Sequence, residues 1–375
     1  MSEMSEIRIL DNSTVHGLLI NLSKAETVGF RQVVERTFED FSVNGERQYQ
    51  PMPSVANRPN GQNTLFRPFT SDTGIGTKIT VEPPTRPDGK KDPLHGVIVL
   101  VDGKGYPKGL LSSEEVTGYR TSMNVMVPFS WRKHVGDIII FGSGMQALWH
   151  TRLILMLRGS EVKSITYVSP MRDQAQQLIA TVSAENSARW NANCSFEFID
   201  NNAADFQQKL QLRLRNVDCI FCTTPSKKPL FPASYVTNRG SRQPLISAIG
   251  SWQADMIELD PELLNLAVAP NAGYNFLTGK DDGAILVDDR EFALTNSGEL
   301  VKSRTNAKDV IELGEILALR SGKLSPQSTR EMAVEKTDRF VAEGLIIYKS
   351  VGVSLTDLTV SDAILKLAKE RQQKL

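Results

Sequence analysis

Six residues, Gly142-Ser143-Gly144-Met145-Gln146-Ala147, follow the apolar run Asp137–Phe141 and lead into helical periodicity over 145–158. A turn of the form G-x-G-x-x-A between a buried strand and a helix suits a dinucleotide. The first glycine permits the tight turn, and the second lets the backbone approach a pyrophosphate. Ala147 lets the helix close on the sheet. The free N–H groups of the first helical turn favour an anion. The end of the next strand chooses between dinucleotides. An NAD(H) site wants a carboxylate there, for the ribose 2′-hydroxyl. The sequence reads Tyr167-Val168-Ser169-Pro170-Met171-Arg172, with no acid before Asp173. Ser169 holds the expected position and Arg172 could meet a 2′-phosphate, so NADP(H) is favoured while NAD(H) stays open.

Two cations stand in unexpected places. Val116, Arg120, Met123 and Val127 share one face of the helix expected over 113–127, so Arg120 falls on the apolar stripe. A buried guanidinium needs an anion. Either a protein carboxylate supplies it, as a structural ion pair, or a substrate carboxylate does, held bidentately. Lys78 lies in the strand-like GTKITVEP, opposite the face shared by Ile75, Thr77, Ile79 and Val81. The alternation points to a solvent-facing lysine. In a substrate pocket the same residue could bind a carboxylate or pass a proton to an imine nitrogen. His150 and His95 read as structural. Cys219 and Cys222 form a C-x-x-C inside the apolar run VDCIFC, without the second ligand pair that a metal site requires. No metal is expected.

Elements must position these groups. Ser23-Lys24-Ala25-Glu26 is a capping box opening an amphipathic helix to about Phe41. Residues 44–95 are rich in Pro, Gly and Asn and suggest only short strands, with a polar loop at 83–93. HGVIVLVDGKGYPKGLL reads as a hairpin, and Pro128 should end the following helix. From Asp137 strands and helices alternate, the signature of a parallel sheet covered on both faces. The expected architecture is α/β. A Rossmann-type doubly wound parallel sheet spans 131–321. A discontinuous α+β domain for substrate and dimerisation spans 1–130 plus 322–375.

Lysine plus arginine equals aspartate plus glutamate, at 43 each in 375 residues. This balance argues against an electrostatic nucleic-acid or membrane binder. The opening MSEMSEIRIL is no signal peptide and no apolar run reaches a membrane span, so a cytoplasmic setting is expected.

The chain resembles the ornithine cyclodeaminase/mu-crystallin family. GTKIT (76–80), LHGVIVLVD (94–102), GYRTS (118–122), FGSGMQALWH (141–150), CTTPSKKPLF (222–231), ELGEIL (312–317) and YKSVGVSLTDL (348–358) carry the resemblance in family order. It implies an NAD(P)-binding Rossmann domain and a homodimer. It makes Lys78 and Arg120 ligands of a substrate carboxylate, with Thr121 beside them. It places Thr223, Thr224, Pro225 and Ser226 at the cofactor's border, and Lys349, Ser350, Val351 and Gly352 on the nicotinamide side. Two departures matter. Where ornithine cyclodeaminases carry a catalytic aspartate this chain has Trp252, which implies a more apolar substrate pocket. Where the family has an early carboxylate-binding arginine it reads Gln50-Pro51-Met52-Pro53-Ser54, so that Arg58 or Arg67 could stand in, or the substrate differs. The leading expectation is an NADPH-dependent reductase of a carboxylate-bearing, often cyclic, imine, like the family's ketimine reductases. The alternatives are an NAD-dependent deaminating cyclase and a non-catalytic binder of nucleotide or small ligands.

Overall fold

The computed structural model describes residues 7–84, 86, 92–237, 242–251 and 253–373. It divides into two compact units, one of residues 1–120 and 353–375, the other of residues 121–352.

The first unit is built on a six-stranded sheet. In chain order its strands are β1 (Arg8–Leu10), β2 (Ser54–Asn57), β3 (Asn63–Ser71), β4 (Gly74–Glu82), β5 (His95–Asp102) and β6 (Pro107–Ser112). In space they run β1-β6-β5-β4-β3-β2. Only β1 pairs in parallel, and the rest is an antiparallel meander. Helices α1 (Asn12–Ile20) and α2 (Lys24–Val43) precede most of it, and α3 (Ser113–Ser130) follows. The C-terminal helix Leu355–Gln372 packs on β3, β4 and β5 and against α1 and α2. The predicted capping box starts α2: the Glu26 N–H donates to Ser23 Oγ at 3.2 Å, and the Ser23 N–H donates to Glu26 Oε2 at 2.7 Å. Such a cap stabilises a helix by about 1 kcal/mol.

The strands of 44–95 are longer than the sequence suggested. β3 and β4 hold nine residues each, and Pro68 sits inside β3. Their ladder also decides which face is inward. Lys78 pairs with Ile98, and Ile98, Leu100, Leu111 and Phe69 are buried. The face of Ile75, Thr77, Ile79 and Val81 is the outer one, where Phe66 and Ile75 remain 37 and 41 % exposed. Both faces are apolar, so alternation alone assigned them the wrong way round. Pro128 also lies within the last turn of α3 and does not stop it.

The second unit contains an eight-stranded sheet. Its strands are β7 (Asp137–Phe141), β8 (Ser164–Ser169), β9 (Ser195–Asp200), β10 (Cys219–Cys222) and β11 (Leu245–Ala248). A separate hairpin, β12 (Pro270–Asn275) and β13 (Lys280–Asp282), precedes β14 (Ile285–Val287), β15 (Val310–Glu312) and β16 (Ile346–Lys349). The order is β15-β14-β16-β11-β10-β7-β8-β9, and every pair is parallel. Helices α4 (Met145–Arg158), α5 (Arg172–Glu185) and α6 (Phe206–Leu214) follow β7, β8 and β9. The strand residues Ile138–Phe141, Ile165–Val168 and Cys219–Cys222 are buried, as a sheet covered on both faces requires.

Here the tail corrects the expected boundaries. GLIIYKS does not return to the first unit. Its strand β16 pairs between β11 and β14, because an apolar four-residue strand finds its hydrogen bonds inside the parallel sheet. The units therefore meet in sequence at 120/121 and 352/353, not at 130/131 and 321/322. Among the described residues no helix is long and apolar enough to cross a membrane.

Candidate functional site

The glycine turn sits where β7 gives way to α4. From β7 the chain winds outward through β8 and β9, and then restarts on the other side with β10. The carboxyl ends of β7 and β10 thus flank a topological switch point, the usual place for a ligand in such sheets. Gly142 has φ +111°, and a Cβ there would lie 2.7 Å from Thr223 Oγ1, so the position needs glycine. Gly144 caps α4 without a side-chain hydrogen bond, and nothing lies within 4 Å of the Cβ it lacks. A tight turn, an open approach and a bare helix N-terminus fit a dinucleotide pyrophosphate. Gly142, Ser143, Gly144, Met145 and Gln146 would hold it. Ser143 Oγ is tied to Ser169 Oγ and Gln174 Oε1, each at 3.0 Å, so the turn is fixed to β8 and α5. On β10's side Thr223 donates its hydroxyl to the Phe141 carbonyl at 2.8 Å, and the Thr224 N–H donates to Glu258 Oε1 at 2.7 Å, ahead of Pro225.

Arg172 begins α5 as expected but is already paired. Its Nη2 donates to Asp200 Oδ2 at 2.8 Å, and Asp200 stands beside Ser169 in the β8–β9 ladder. A carboxylate thus exists near the strand end after all, supplied by the neighbouring strand. Sequence spacing within one βα unit could not find it.

Lys349 and Ser350 are engaged as well. Lys349 Nζ donates to Ser251 Oγ at 2.6 Å, and Ser251 in turn donates to Glu299. Glu299 also accepts the Glu258 N–H (2.7 Å) and the Ser297 hydroxyl (2.8 Å). Glu258 accepts the N–H groups of Thr224 and Gly250, both at 2.7 Å. Burial raises its pKa, an effect only partly offset by Lys349 and the two N–H donors. Asp288 accepts from the Ser350 hydroxyl and from the N–H groups of Val351 and Gly352, pinning the loop after β16. Sequence reasoning missed these acids. Trp252 lies outside the described residues, as do Thr85 and residues 87–91 of the expected polar loop. Thr121 follows Arg120 on α3 and is buried.

The first unit brings Lys78 and Arg120 together. Each is only 4 % exposed, so the solvent-facing reading of Lys78 falls. The link is Asp357, on the first turn of the C-terminal helix. Lys78 Nζ donates to both its oxygens at 2.9 Å, and Arg120 Nε donates to Oδ1 at 2.9 Å. Thr117 Oγ1 is 3.5 Å from Lys78 Nζ. Arg120 Nη1 is buried and has no hydrogen-bond partner. Burial pulls the pKa of Lys78 down to about 7; Asp357 opposes the shift, and Arg120 and Arg67 reinforce it. Burial also penalises the Asp357 charge, but Arg120 and Lys78 outweigh it and hold that carboxyl below its usual range. A lysine that changes charge near neutrality, beside an arginine with a spare donor, can deliver a proton next to a bound carboxylate. Sequence reasoning missed Asp357, which stands with Ser361, Ile364, Leu365 and Ala368 on one buried stripe of its helix.

His150 is buried, with Nδ1 2.7 Å from the Gln146 carbonyl and 2.9 Å from Ser122 Oγ. Burial drops its pKa to about 4. Cys219 and Cys222 are buried free thiols, and no metal-binding cluster occurs among the described residues.

No protein-family model matches the chain. It is 25% identical over 359 residues to a Delta(1)-pyrroline-2-carboxylate reductase of Bacillus cereus, covering 92% of this chain and 94% of that one. An uncharacterized cyclodeaminase of Dictyostelium discoideum is 25% identical over 316 residues, 82% of this chain and 79% of its own. Among solved structures, the Delta(1)-pyrroline-2-carboxylate reductase of Thermococcus litoralis in complex with NADH and L-proline matches with a TM-score of 0.70. The match covers 98% of both chains at 17% identity, a likeness of fold.

Proposed function

We propose that this chain, which belongs to the ornithine cyclodeaminase/mu-crystallin family, is an NAD(P)H-dependent reductase of the C=N bond in a carboxylate-bearing imine. The observation that carries this reading is the buried Lys78–Asp357–Arg120 cluster. When bound, the nicotinamide supplies the hydride that the imine carbon takes up. The chain's own residues do the rest. Arg120 offers its spare Nη1 to the substrate carboxylate, with Lys78 as the second ligand. Lys78 gives a proton to the imine nitrogen, so that hydride and proton together convert C=N to CH–NH. Asp357 keeps both cations in place before the substrate arrives. Trp252 borders the substrate in this reading. Thr223, Thr224, Pro225, Lys349, Ser350 and Gly352 border the cofactor, held by the acids Glu258, Glu299 and Asp288.

NADP(H) is the proposed preference, with Ser169 and Arg172 at the 2′ position. The Arg172–Asp200 pair makes that preference modest, because part of the arginine's charge is already met. A homodimer completes the reading. The outer sheet face presents Phe66, Ile75 and, on β1, Ile9 at 77 % exposure, an apolar surface of the kind a second copy covers. Three free cysteines suit a reducing, cytoplasmic setting.

The test is direct. NADPH and NADH are titrated into the purified protein, then pyrroline-2-carboxylate or piperideine-2-carboxylate is added and nicotinamide absorbance followed. Oxidation with a preference for NADPH is expected. Nucleotide binding without oxidation of any imine would sink the reductase reading.

A further inference from the structure

Beside the glycine turn, the turns after β8 and β9 are stitched to each other. Ser169, the last residue of β8, pairs in register with Asp200, the last residue of β9. The Met171 N–H donates to Ser169 Oγ at 3.1 Å, and Asn202 Nδ2 donates to the Pro170 carbonyl at 3.1 Å. Asp200 is anchored in that frame. Its Oδ1 accepts the Asn202 N–H at 2.9 Å, and its Oδ2 accepts from Arg172 Nη2 at 2.8 Å. The Arg172 guanidinium also lies over the Phe198 ring, 5.8 Å from its centroid. The Asn202 N–H lowers the pKa of Asp200, burial opposes it and Arg172 adds to the lowering, so the pair carries both charges at neutral pH.

Two charges of opposite sign thus stand beside Ser169, the strand-end position at which the 2′ group of a dinucleotide is read. Each reads that group differently. A 2′-hydroxyl donates a hydrogen bond, which a carboxylate accepts. A 2′-phosphate carries negative charge, which a carboxylate repels and a guanidinium attracts. The two side chains also differ in freedom. Arg172 is 59 % exposed and can turn toward a phosphate, whereas Asp200 is 14 % exposed and keeps its place on the Asn202 N–H.

Resting on the dinucleotide reading of the glycine turn, we infer that Asp200 is a specificity-determining residue. It accepts the 2′-hydroxyl of NADH, opposes the 2′-phosphate of NADPH and competes with that phosphate for Arg172. Asp200 and Arg172 act as one selector with two signs, and removing one charge or the other moves the nucleotide preference in opposite directions.

The experiment needs no turnover. Dissociation constants for NADPH and NADH are measured by calorimetry in wild type, Asp200→Asn, Arg172→Ala and the double variant. The fragments 2′,5′-ADP and ADP repeat the comparison without nicotinamide. Asp200→Asn keeps the side-chain shape and an acceptor for the Asn202 N–H. It should raise the affinity ratio of NADPH over NADH about tenfold, mainly by tightening NADPH, and should favour 2′,5′-ADP over ADP to the same degree. Asp200→Ser should act in the same direction. Arg172→Ala should lower the ratio. In that background Asp200→Asn should raise it by about threefold or less, because the arginine it competes for is gone. An unchanged ratio in both Asp200 variants, an equal fall in both affinities, or full additivity in the double variant overturns the inference and leaves the dinucleotide reading standing. If wild type binds neither NADPH nor NADH, that reading fails, and the inference with it.

Discussion

Two buried clusters in this molecule use the same ingredients in opposite proportion. In the first unit one aspartate faces Lys78, Arg120 and Arg67, and Arg120 Nη1 has no partner. In the second unit one lysine, Lys349, faces two glutamates, and every carboxylate oxygen of Glu258 and Glu299 accepts at least one hydrogen bond. The first cluster has a donor to spare, Arg120 Nη1. The second is closed: its acceptors are taken up by the backbone N–H groups of Thr224, Gly250 and Glu258 and by the hydroxyls of Thr224, Ser251 and Ser297. A buried cluster with capacity left over is built to receive something; one without is built to hold its own chain.

That contrast can be broken by mutation. The largest effect should come from Lys78→Ala or Arg120→Ala. Turnover should fall by about a thousandfold or more, while NADPH affinity, set in the other unit, stays put. If nucleotide binding falls equally, the roles assigned to the two clusters collapse. Asp357→Asn comes next. It removes the charge that Lys78 and Arg120 share and should cost about 3–5 kcal/mol in chemical denaturation.

The pH dependence sharpens the same point. Lys78 has a folded pKa of about 7 against 10.5 for a free lysine. Its proton-donating form is lost as pH rises through about 7, so kcat/KM should decline on the alkaline side. Stability should move the other way. Between about 7 and 10.5 the unfolded chain holds a proton that the folded lysine has released, so stability rises with pH across that window. Lys78→Met should flatten that slope, and a slope that survives the substitution would show that another group carries it. Glu258→Gln should cost less, about 1–3 kcal/mol, by setting an amide N–H against a backbone N–H at Thr224 or Gly250. A loss of turnover without a loss of stability there would move Glu258 into the chemistry. The smallest effect is expected from Arg172→Ala, a fall of about five- to tenfold in the preference for NADPH over NADH. An unchanged ratio would remove Arg172 from the 2′ site.

How much of this the sequence disclosed depended on whether a signal was local. The glycine turn, the capping box of α2 and the βα alternation are local, and each lies where the spacing put it. Arg120 announced itself by standing on an apolar stripe. Lys78 did not, because the sheet of the first unit is apolar on both faces and alternation cannot choose between two such faces. The partners were hardest to find. Asp357 lies 279 residues from Lys78, and Asp200 reaches Arg172 from the next strand. Charge pairing across such distances has no periodicity. The same holds for β16, whose four apolar residues fit either sheet until the hydrogen-bonded neighbours are known.

The discontinuity of the first unit sets a schedule for synthesis. Residues 353–375 belong with residues 1–120, and all of the second unit is encoded between them. A ribosome adding about 5–20 residues per second delivers the helix bearing Asp357 tens of seconds after Lys78 and Arg120. Through that interval the nascent chain carries two cations on what will become core surface, without the aspartate that joins them. A product truncated before Asp357 would hold every strand of the parallel sheet and lack the carboxylate that joins Lys78 and Arg120.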